Sequence, residues 1–228
     1  MEVEELHHHN NSMSLRVLAL VTGLVLNALG NGLTVSTNVG TSPWTASEVN
    51  LANLFGTSVG IPMFIVGTLT AVANQLLIRQ WDRWRFIGEV AFIACFSYFV
   101  DVFVAFFGWL GVPQLPFLFR TVLCFIGVAT FCCAISIYQR ANIVMHPNDD
   151  TTNILRFLYF HNRVVVAQLV NFIPPILIMA VTFMLDGHLY AINVGTLFAL
   201  LANGPLIGFF DRHFWHSLTH NFRVTVNQ

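Results

Sequence analysis

Six apolar segments divide this chain, each close to the roughly 20 residues that an α-helix needs to cross a bilayer. They cover about residues 15–36, 58–78, 86–109, 117–138 and 164–185, and the last one ends near 210. Hydrophobic residues make up 56% of the chain and charged residues only 9%, whereas soluble domains carry roughly a quarter charged residues. We therefore expect an all-α integral membrane protein with six transmembrane helices, whose main partner is the lipid bilayer.

The arginines near the ends of these segments predict how the chain is oriented. With six spans, the side that holds both termini carries Arg16, Arg79, Arg83, Arg85, Arg140, Arg156, Arg163, Arg212 and Arg223. The opposite side carries Arg120 alone. Cytoplasmic connections are enriched in basic residues, so both termini are predicted to be cytoplasmic. A formal net charge of −1 argues against a nucleic-acid partner.

Two polar, proline-containing segments interrupt the apolar pattern. We name residues 40–48 (GTSPWTASE) the first break and residues 144–150 (VMHPNDD) the second break. Each precedes a short segment that predicts a partial helix, at residues 44–55 and 148–160. Serine at an N-cap and proline at the first helical position are typical of a helix start. Such a start directs backbone N–H groups and a positive dipole end toward a carboxylate or phosphate.

The second break differs from the first in charge. Asp149 and Asp150 lie in the predicted first turn and already neutralise the helix dipole, so they favour a cation or an amine. An ordinary capped helix in a loop is the alternative interpretation of both breaks.

The two halves of the chain are related by a shift of 104 residues. This shift aligns Arg16 with Arg120, Gly23 with Gly127, Asn38 with Asn142, and Pro43 with Pro147. Further along the chain the shift is three residues larger, and it aligns Gly88-Glu89-Val90 with Gly195-Thr196-Leu197. Each half holds three spans, an odd number, so the halves are predicted to lie in opposite orientations, as in many secondary transporters.

This pattern predicts four regions along the chain. They are a disordered cytoplasmic N-terminus at 1–13, a first repeat at 14–116, a second repeat at 117–210, and a cytoplasmic interfacial tail at 211–228.

Several of these residues resemble a known family. The run Asn38–Trp44, the pair Gly56 and Gly60, and the closing Gly195-Thr196-Leu197 with Gly204-Pro205 resemble the YczE/YyaS/YitT group of small bacterial membrane proteins. The resemblance implies a multi-pass protein of the bacterial cytoplasmic membrane that acts as a transporter, with no substrate assigned. Family members often have Asp after Gly-Pro-Trp and a glycine-rich second motif. Neither is present here, which favours a different ligand.

Polar side chains within the spans and breaks are the candidates for ligand binding. Asp101 lies deep in the third span, where charged groups usually face a cavity or partner, so we predict a role in proton coupling or ligand binding. The amides of Asn27, Asn31, Asn171 and Asn203 either bridge helices or contact a ligand. The predicted ligand-binding residues are Asn38, Ser42, Pro43, Trp44, Glu48, Asp101, Asn142, His146, Asp149, Asp150, Asn171 and Asn203.

The leading functional hypothesis is a secondary transporter for a small polar organic solute, with proton coupling as an option. One alternative is the substrate-binding subunit of a vitamin-type uptake complex with an ATPase partner, which would use the small-residue pairs Ala19/Gly23 and Ala28/Gly32. A non-transporting regulatory protein is a further functional alternative. Assembly as a homodimer is an option for the partner.

No enzymatic activity, cofactor or metal is expected. The G-x-S-x-G pattern at 56–60 has no histidine within any span to act as its base, and Cys95, Cys124, Cys132 and Cys133 lie in apolar spans as small hydrophobic residues.

Overall fold

The computed structural model describes residues 11–161 and 163–219. Its helices are α1 (Met13–Thr37), α2 (Pro43–Phe55), α3 (Gly60–Ile78), α4 (Arg83–Trp109), α5 (Phe117–Ala141), α6 (Pro147–Ile154), α7 (Val164–Asn171), α8 (Ile173–Asp186) and α9 (Val194–His213). A 3₁₀ turn (Val112–Gln114) precedes α5, and a π-helix (Leu155–Tyr159) extends α6.

Within the described residues, six stretches are long and apolar enough to cross a membrane: Met13–Thr37, Gly60–Ile78, Arg83–Trp109, Phe117–Ala141, Val166–Asp186 and Val194–His213. The prediction of an all-α membrane protein with six spans is thus confirmed. Large apolar side chains cover the outside of the bundle, for example Leu69 and Trp109, which are 63% and 81% exposed. Such a surface suits lipid and not water.

Helices α1 and α5 form the centre of the molecule, and their backbones touch. A methyl group added at Gly30 would lie 2.7 Å from the carbonyl oxygen of Gly127, and one added at Gly127 would lie 2.9 Å from that of Gly30. Small residues permit this approach in a membrane, where helix association depends on packing and hydrogen bonds.

Two arginines join the ends of this central pair. Arg16, at the start of α1, donates from Nε to the Ala141 carbonyl at 2.7 Å and from Nη2 to the Asn142 carbonyl at 2.6 Å. Arg120, at the start of α5, donates from Nη1 to the Thr37 carbonyl at 3.0 Å. Because each arginine contacts the C-terminal end of the other helix, α1 and α5 run antiparallel.

The remaining helices pack around this pair. Helix α4 lies against α1 and α9 lies against α5, while α2 packs on α8 and α6 packs on α3. The main apolar cluster combines residues of α1, α3, α4, α5 and α9, and it includes Phe92, Phe96, Phe131 and Tyr138.

Both breaks start a helix with the same local features. The preceding helices are followed by the capping residues Asn38 and Asn142, which have left-handed backbones with φ of 49° and 46°. Asparagine tolerates this conformation at a helix C-terminus. Proline is the first residue of both α2 and α6, because a helix start does not need its missing N–H. Both helices therefore begin one residue earlier than predicted.

The fifth span is interrupted. Helix α7 ends at Asn171 and α8 begins at Ile173, because Pro174 and Pro175 lack the N–H groups that would continue the helix.

The predicted interfacial tail begins as the last turn of α9. Residues 214–219 then form turns with Leu218 buried, and Arg140 Nη1 donates to the Leu218 carbonyl at 3.0 Å. Residues 220–228, like 1–10 at the other end, lie outside the described residues.

Candidate functional site

A small cavity of about 70 Å³ lies between the two breaks. It is large enough for a few water molecules or the polar end of a small solute. The first break and α2 contribute Ser42, Trp44, Thr45 and Glu48, and the second break and α6 contribute His146, Asn148, Asp149 and Thr152. The other lining residues are Asn27, Asn31, Phe96, Phe131, Ile135, Gln168, Asn171, Phe172 and Asn203.

The first break reaches the cavity because the chain turns back along α1. Thr41 lies beside Thr34, with their hydroxyl oxygens 2.8 Å apart. Thr45 Oγ1 donates to Asn31 Oδ1 at 2.8 Å. Asn31 is six residues before the end of α1, or roughly 9 Å along its axis. The start of α2 therefore lies at the depth of the α1 interior, inside the bundle.

The second break is fixed by contacts with three helices. The Tyr138 hydroxyl of α5 donates to the Asp149 carboxylate. Asn74 Nδ2 of α3 donates to the Pro147 carbonyl at 3.0 Å. The His146 ring packs edge-on against Phe96 of α4, with ring centroids 4.9 Å apart. These contacts place Asp149 and His146 on the side of α6 that faces the cavity.

Four buried polar atoms that line the cavity have no hydrogen-bond partner among the residues that the structure describes. They are Trp44 Nε1, Glu48 Oε1, Asn148 Oδ1 and Asn171 Oδ1. A buried polar atom without a partner costs about 1–3 kcal/mol, and a native fold seldom tolerates four of them together without a function. Four such atoms around one cavity are the strongest indication of a ligand site.

Burial sets the protonation of the cavity's titratable groups. It raises the pKa of Glu48 to about 8, so this carboxyl is mostly protonated at neutral pH when the cavity is empty. Burial also raises the pKa of Asp149 to about 6, although the hydrogen bond from Tyr138 lowers it in part. Burial lowers the pKa of His146 to about 3, so its imidazole is neutral.

Seven of the twelve predicted ligand-binding residues line this cavity: Ser42, Trp44, Glu48, His146, Asp149, Asn171 and Asn203. Pro43 does not line it but is buried beside it as the first residue of α2. Asn38 and Asn142 instead cap the C-termini of α1 and α5, where Asn38 is exposed.

Asp101 lies outside the cavity. Its carboxylate accepts hydrogen bonds from Ser58 Oγ at 2.7 Å and from the Gly60 backbone N–H at 2.8 Å. These groups lie at the start of α3, where backbone N–H groups have no partner within the helix. Asp101 thus acts as an N-cap supplied by the neighbouring α4.

Asp150 faces away from the cavity. Its two carboxylate oxygens accept from Arg85 Nε and Nη2 at 2.5 and 2.6 Å. Both residues line a second, larger cavity of about 620 Å³, together with Glu89, Asn142 and Val144. Glu89 is buried there and accepts from Asn74 Nδ2 at 3.2 Å. Asp150 therefore belongs to an ion-pair network between α4 and α6.

The predicted ligand-binding residues left out Thr45, Asn148, Thr152 and Gln168, which also line the cavity. The repeat shift contained the signal for Asn148, because adding 104 to the position of Trp44 gives 148. It also relates Thr45 to Asp149. Nothing in the sequence around Gln168 separates it from an amide that bridges helices.

The chain has recognisable relatives. Residues 14–212 match the model of a family of unknown function, DUF6198. An uncharacterized protein of Bacillus subtilis (strain 168), YyaS, is 27% identical over 202 residues, which are 84% of this chain and 92% of YyaS. An uncharacterized membrane protein of the same organism, YczE, is 29% identical over 129 residues, which are 56% of each chain.

No solved structure matches the chain significantly. The family match covers most of the sequence, and both relatives belong to the group that the first break resembles. This chain therefore belongs to the DUF6198 family, and it is similar to YyaS and YczE.

Proposed function

We propose that this protein is a secondary transporter for a small polar organic solute, which binds in the cavity between the two breaks. The observation that carries the proposal is the set of four unpartnered polar atoms in that cavity. Transporters commonly bind their substrates where interrupted helices meet near the middle of the membrane.

The proposal includes two inverted repeats that share one site. The shift of 104 residues relates most of the cavity lining in pairs: Asn27/Phe131, Asn31/Ile135, Ser42/His146, Trp44/Asn148, Thr45/Asp149 and Glu48/Thr152. With the shift that is three residues larger, Phe96 pairs with Asn203. A site at a pseudo-two-fold axis has this property, because each half contributes the same positions.

Contacts elsewhere support the same symmetry. Gly23 lies against Ala134 and Tyr138, and its equivalent Gly127 lies against Gly30 and Thr34, the positions 104 residues earlier. The antiparallel central pair and its reciprocal arginine contacts also agree with two units of opposite orientation.

The two ends of the molecule differ in a way that supports alternating access. At one end, Gly195 N–H donates to the Val39 carbonyl at 3.0 Å, and a methyl group on Gly40 would lie 2.4 Å from the Thr196 nitrogen. At the other end, the equivalent of the Gly40–Gly195 contact is Val144 against Gly88, which is a side-chain contact beside the 620 Å³ cavity. We assign the end with the larger cavity to the cytoplasm on the basis of the arginine distribution, and propose that the solute reaches its site from that side.

The alternative of a binding subunit with an ATPase partner loses part of its sequence support. Ala19 and Ala28 are fully buried within the chain. Gly23 packs against Tyr138, and a methyl group on Gly32 would lie 2.6 Å from Phe103 Cβ. These four small residues serve packing inside the molecule, so they are not available to contact a partner.

Reconstitution of the purified chain into liposomes tests the proposal. Liposomes are loaded with a metabolite extract, and exchange is followed by mass spectrometry without ATP. We expect flux of at least one small polar solute. Trp44→Phe, which keeps an aromatic ring of smaller size but removes the Nε1 donor, should lower that flux about tenfold, as expected for a lost hydrogen bond of ~1.4 kcal/mol.

Thr121→Val is the matched control, because its hydroxyl bonds only the Phe117 carbonyl of its own helix. High-affinity binding without flux would favour the binding-subunit alternative, and neither binding nor flux would favour a regulatory protein.

A further inference from the structure

The four unpartnered atoms are mostly hydrogen-bond acceptors. Asn171 Nδ2 is already used, since it donates to the Asn148 carbonyl at 3.0 Å and to Thr152 Oγ1 at 2.8 Å. The amide oxygen of Asn171 is therefore the atom left for a ligand. Asn148 Oδ1 is a second acceptor, Glu48 Oε1 is an acceptor once its carboxyl is ionised, and Trp44 Nε1 is a donor. A ligand that satisfies this set needs several N–H or O–H donors and at least one acceptor.

The charges around the cavity have one sign. The titratable residues that line it are Glu48 of α2, and His146 and Asp149 at the start of α6. From α5, Tyr138 donates to Asp149 and Cys132 donates to Asn203. No Arg lines the cavity among the described residues. The neutral His146 uses Nδ1 to accept from the Asn148 N–H at 3.3 Å, so an anion would find no cationic partner here.

The two helix starts do not replace the missing cationic partner, because most of their backbone N–H groups already donate to other atoms. Pro43 and Pro147 have no N–H. The Thr45 N–H donates to Ser42 Oγ at 3.3 Å. The backbone N–H groups of Ala46 and Asp149 donate to the carbonyls of Ser42 and His146. The anion preference that proline-led helix starts usually carry is therefore weak at this site.

We propose that the cavity selects small organic cations that carry N–H donors, such as primary ammonium ions, with Glu48 and Asp149 as the charged partners. This assignment deepens the proposed transport function and depends on the same cavity. The ammonium group would donate to Glu48, Asn148 and Asn171, and the rings of Trp44 and Phe96 would add cation–π attraction. An acceptor on the ligand, such as a hydroxyl oxygen, would satisfy Trp44 Nε1.

When such a cation binds, Glu48 releases a proton. The empty cavity holds Glu48 mostly protonated at neutral pH, because burial raises its pKa to about 8. The arriving ammonium ion favours the carboxylate, and the displaced proton leaves to solvent, so the net charge of the site is unchanged. Affinity for the cation should therefore increase with increasing pH. The increase should be up to about tenfold for each pH unit up to pH 8, and the affinity should level off at higher pH.

Thermal unfolding of the full-length protein in detergent tests the ligand class. The probes are ethanolamine, its neutral isostere ethylene glycol, and the anion glycolate, each at millimolar concentration and pH 8. We expect ethanolamine to raise the Tm, because binding to the folded state stabilises it, and the two other probes to leave it unchanged. Glu48→Gln should remove the ethanolamine response, whereas Glu89→Gln, a buried glutamate outside this cavity, should keep it.

Three results would overturn the assignment: no ethanolamine shift in the unaltered protein, a shift that survives in Glu48→Gln, or an equal shift with glycolate. None of them would by itself remove the transport function, since the liposome experiment with a metabolite extract measures flux of any solute.

Discussion

At the scale of single residues, neighbouring aspartates on α6 have different roles. Asp149 accepts from Tyr138 and lines the small cavity, while Asp150 binds Arg85 and lines the larger one. Successive residues on a helix differ by about 100° in direction. The rotation of α6 about its axis therefore decides which carboxylate meets the ligand, and contacts such as Asn74 with Pro147 fix that rotation.

Asp101 gives a first residue-scale prediction. Asp101→Asn weakens the cap on α3 because an amide offers one acceptor where the carboxylate binds both Ser58 and Gly60. We expect a loss of about 0.5–2 kcal/mol in stability, measured as a lower Tm in detergent, with unchanged solute exchange in liposomes. An unchanged Tm together with altered pH dependence of exchange would instead restore the proton-coupling role predicted from the sequence.

At the scale of elements, the contact between α1 and α5 determines how the bundle assembles. Gly127→Ala would place a methyl group 2.7 Å from Thr34 Cγ2 and 2.9 Å from the Gly30 carbonyl oxygen. The two helices would have to separate, and overpacking of this kind costs about 1–3 kcal/mol. A fall in Tm after this substitution is the expected result.

Gly108→Ala is the matched control for this element-scale prediction. Gly108 is also a helical glycine, but an added methyl group there meets nothing within 4 Å. Alanine is favoured over glycine inside a helix by roughly 0.5–1 kcal/mol, so this variant should be unchanged or slightly more stable. Equal losses in both variants would contradict the role of the central contact.

At the scale of the whole molecule, the closed end gives a conformational prediction. Gly195→Ala would place a methyl group 2.4 Å from Cys124 Sγ and 3.1 Å from Gly40 Cα, so the first break could no longer pack on α9. We expect the closed end to open. Cys124, which is buried, should then react with a water-soluble maleimide, detected by mass spectrometry. Gly208→Ala, with open space at its methyl position, should leave Cys124 protected.

The sequence by itself determined the class of this protein, its six spans and the positions of its two breaks. Hydropathy and proline are local signals: about 20 apolar residues specify a span, and proline specifies where a helix starts to within one residue. The shift of 104 residues also related Trp44 to Asn148 before any contact was known.

Only the tertiary structure decided which polar residues share a site. Asp101 and Glu48 are both acids in apolar surroundings, yet one caps α3 and the other lines the cavity. A residue's role in a helical membrane protein depends on which neighbour its helix face meets. That choice is made by close packing of several helices at once, such as α1 on α5, and no single segment of sequence encodes it.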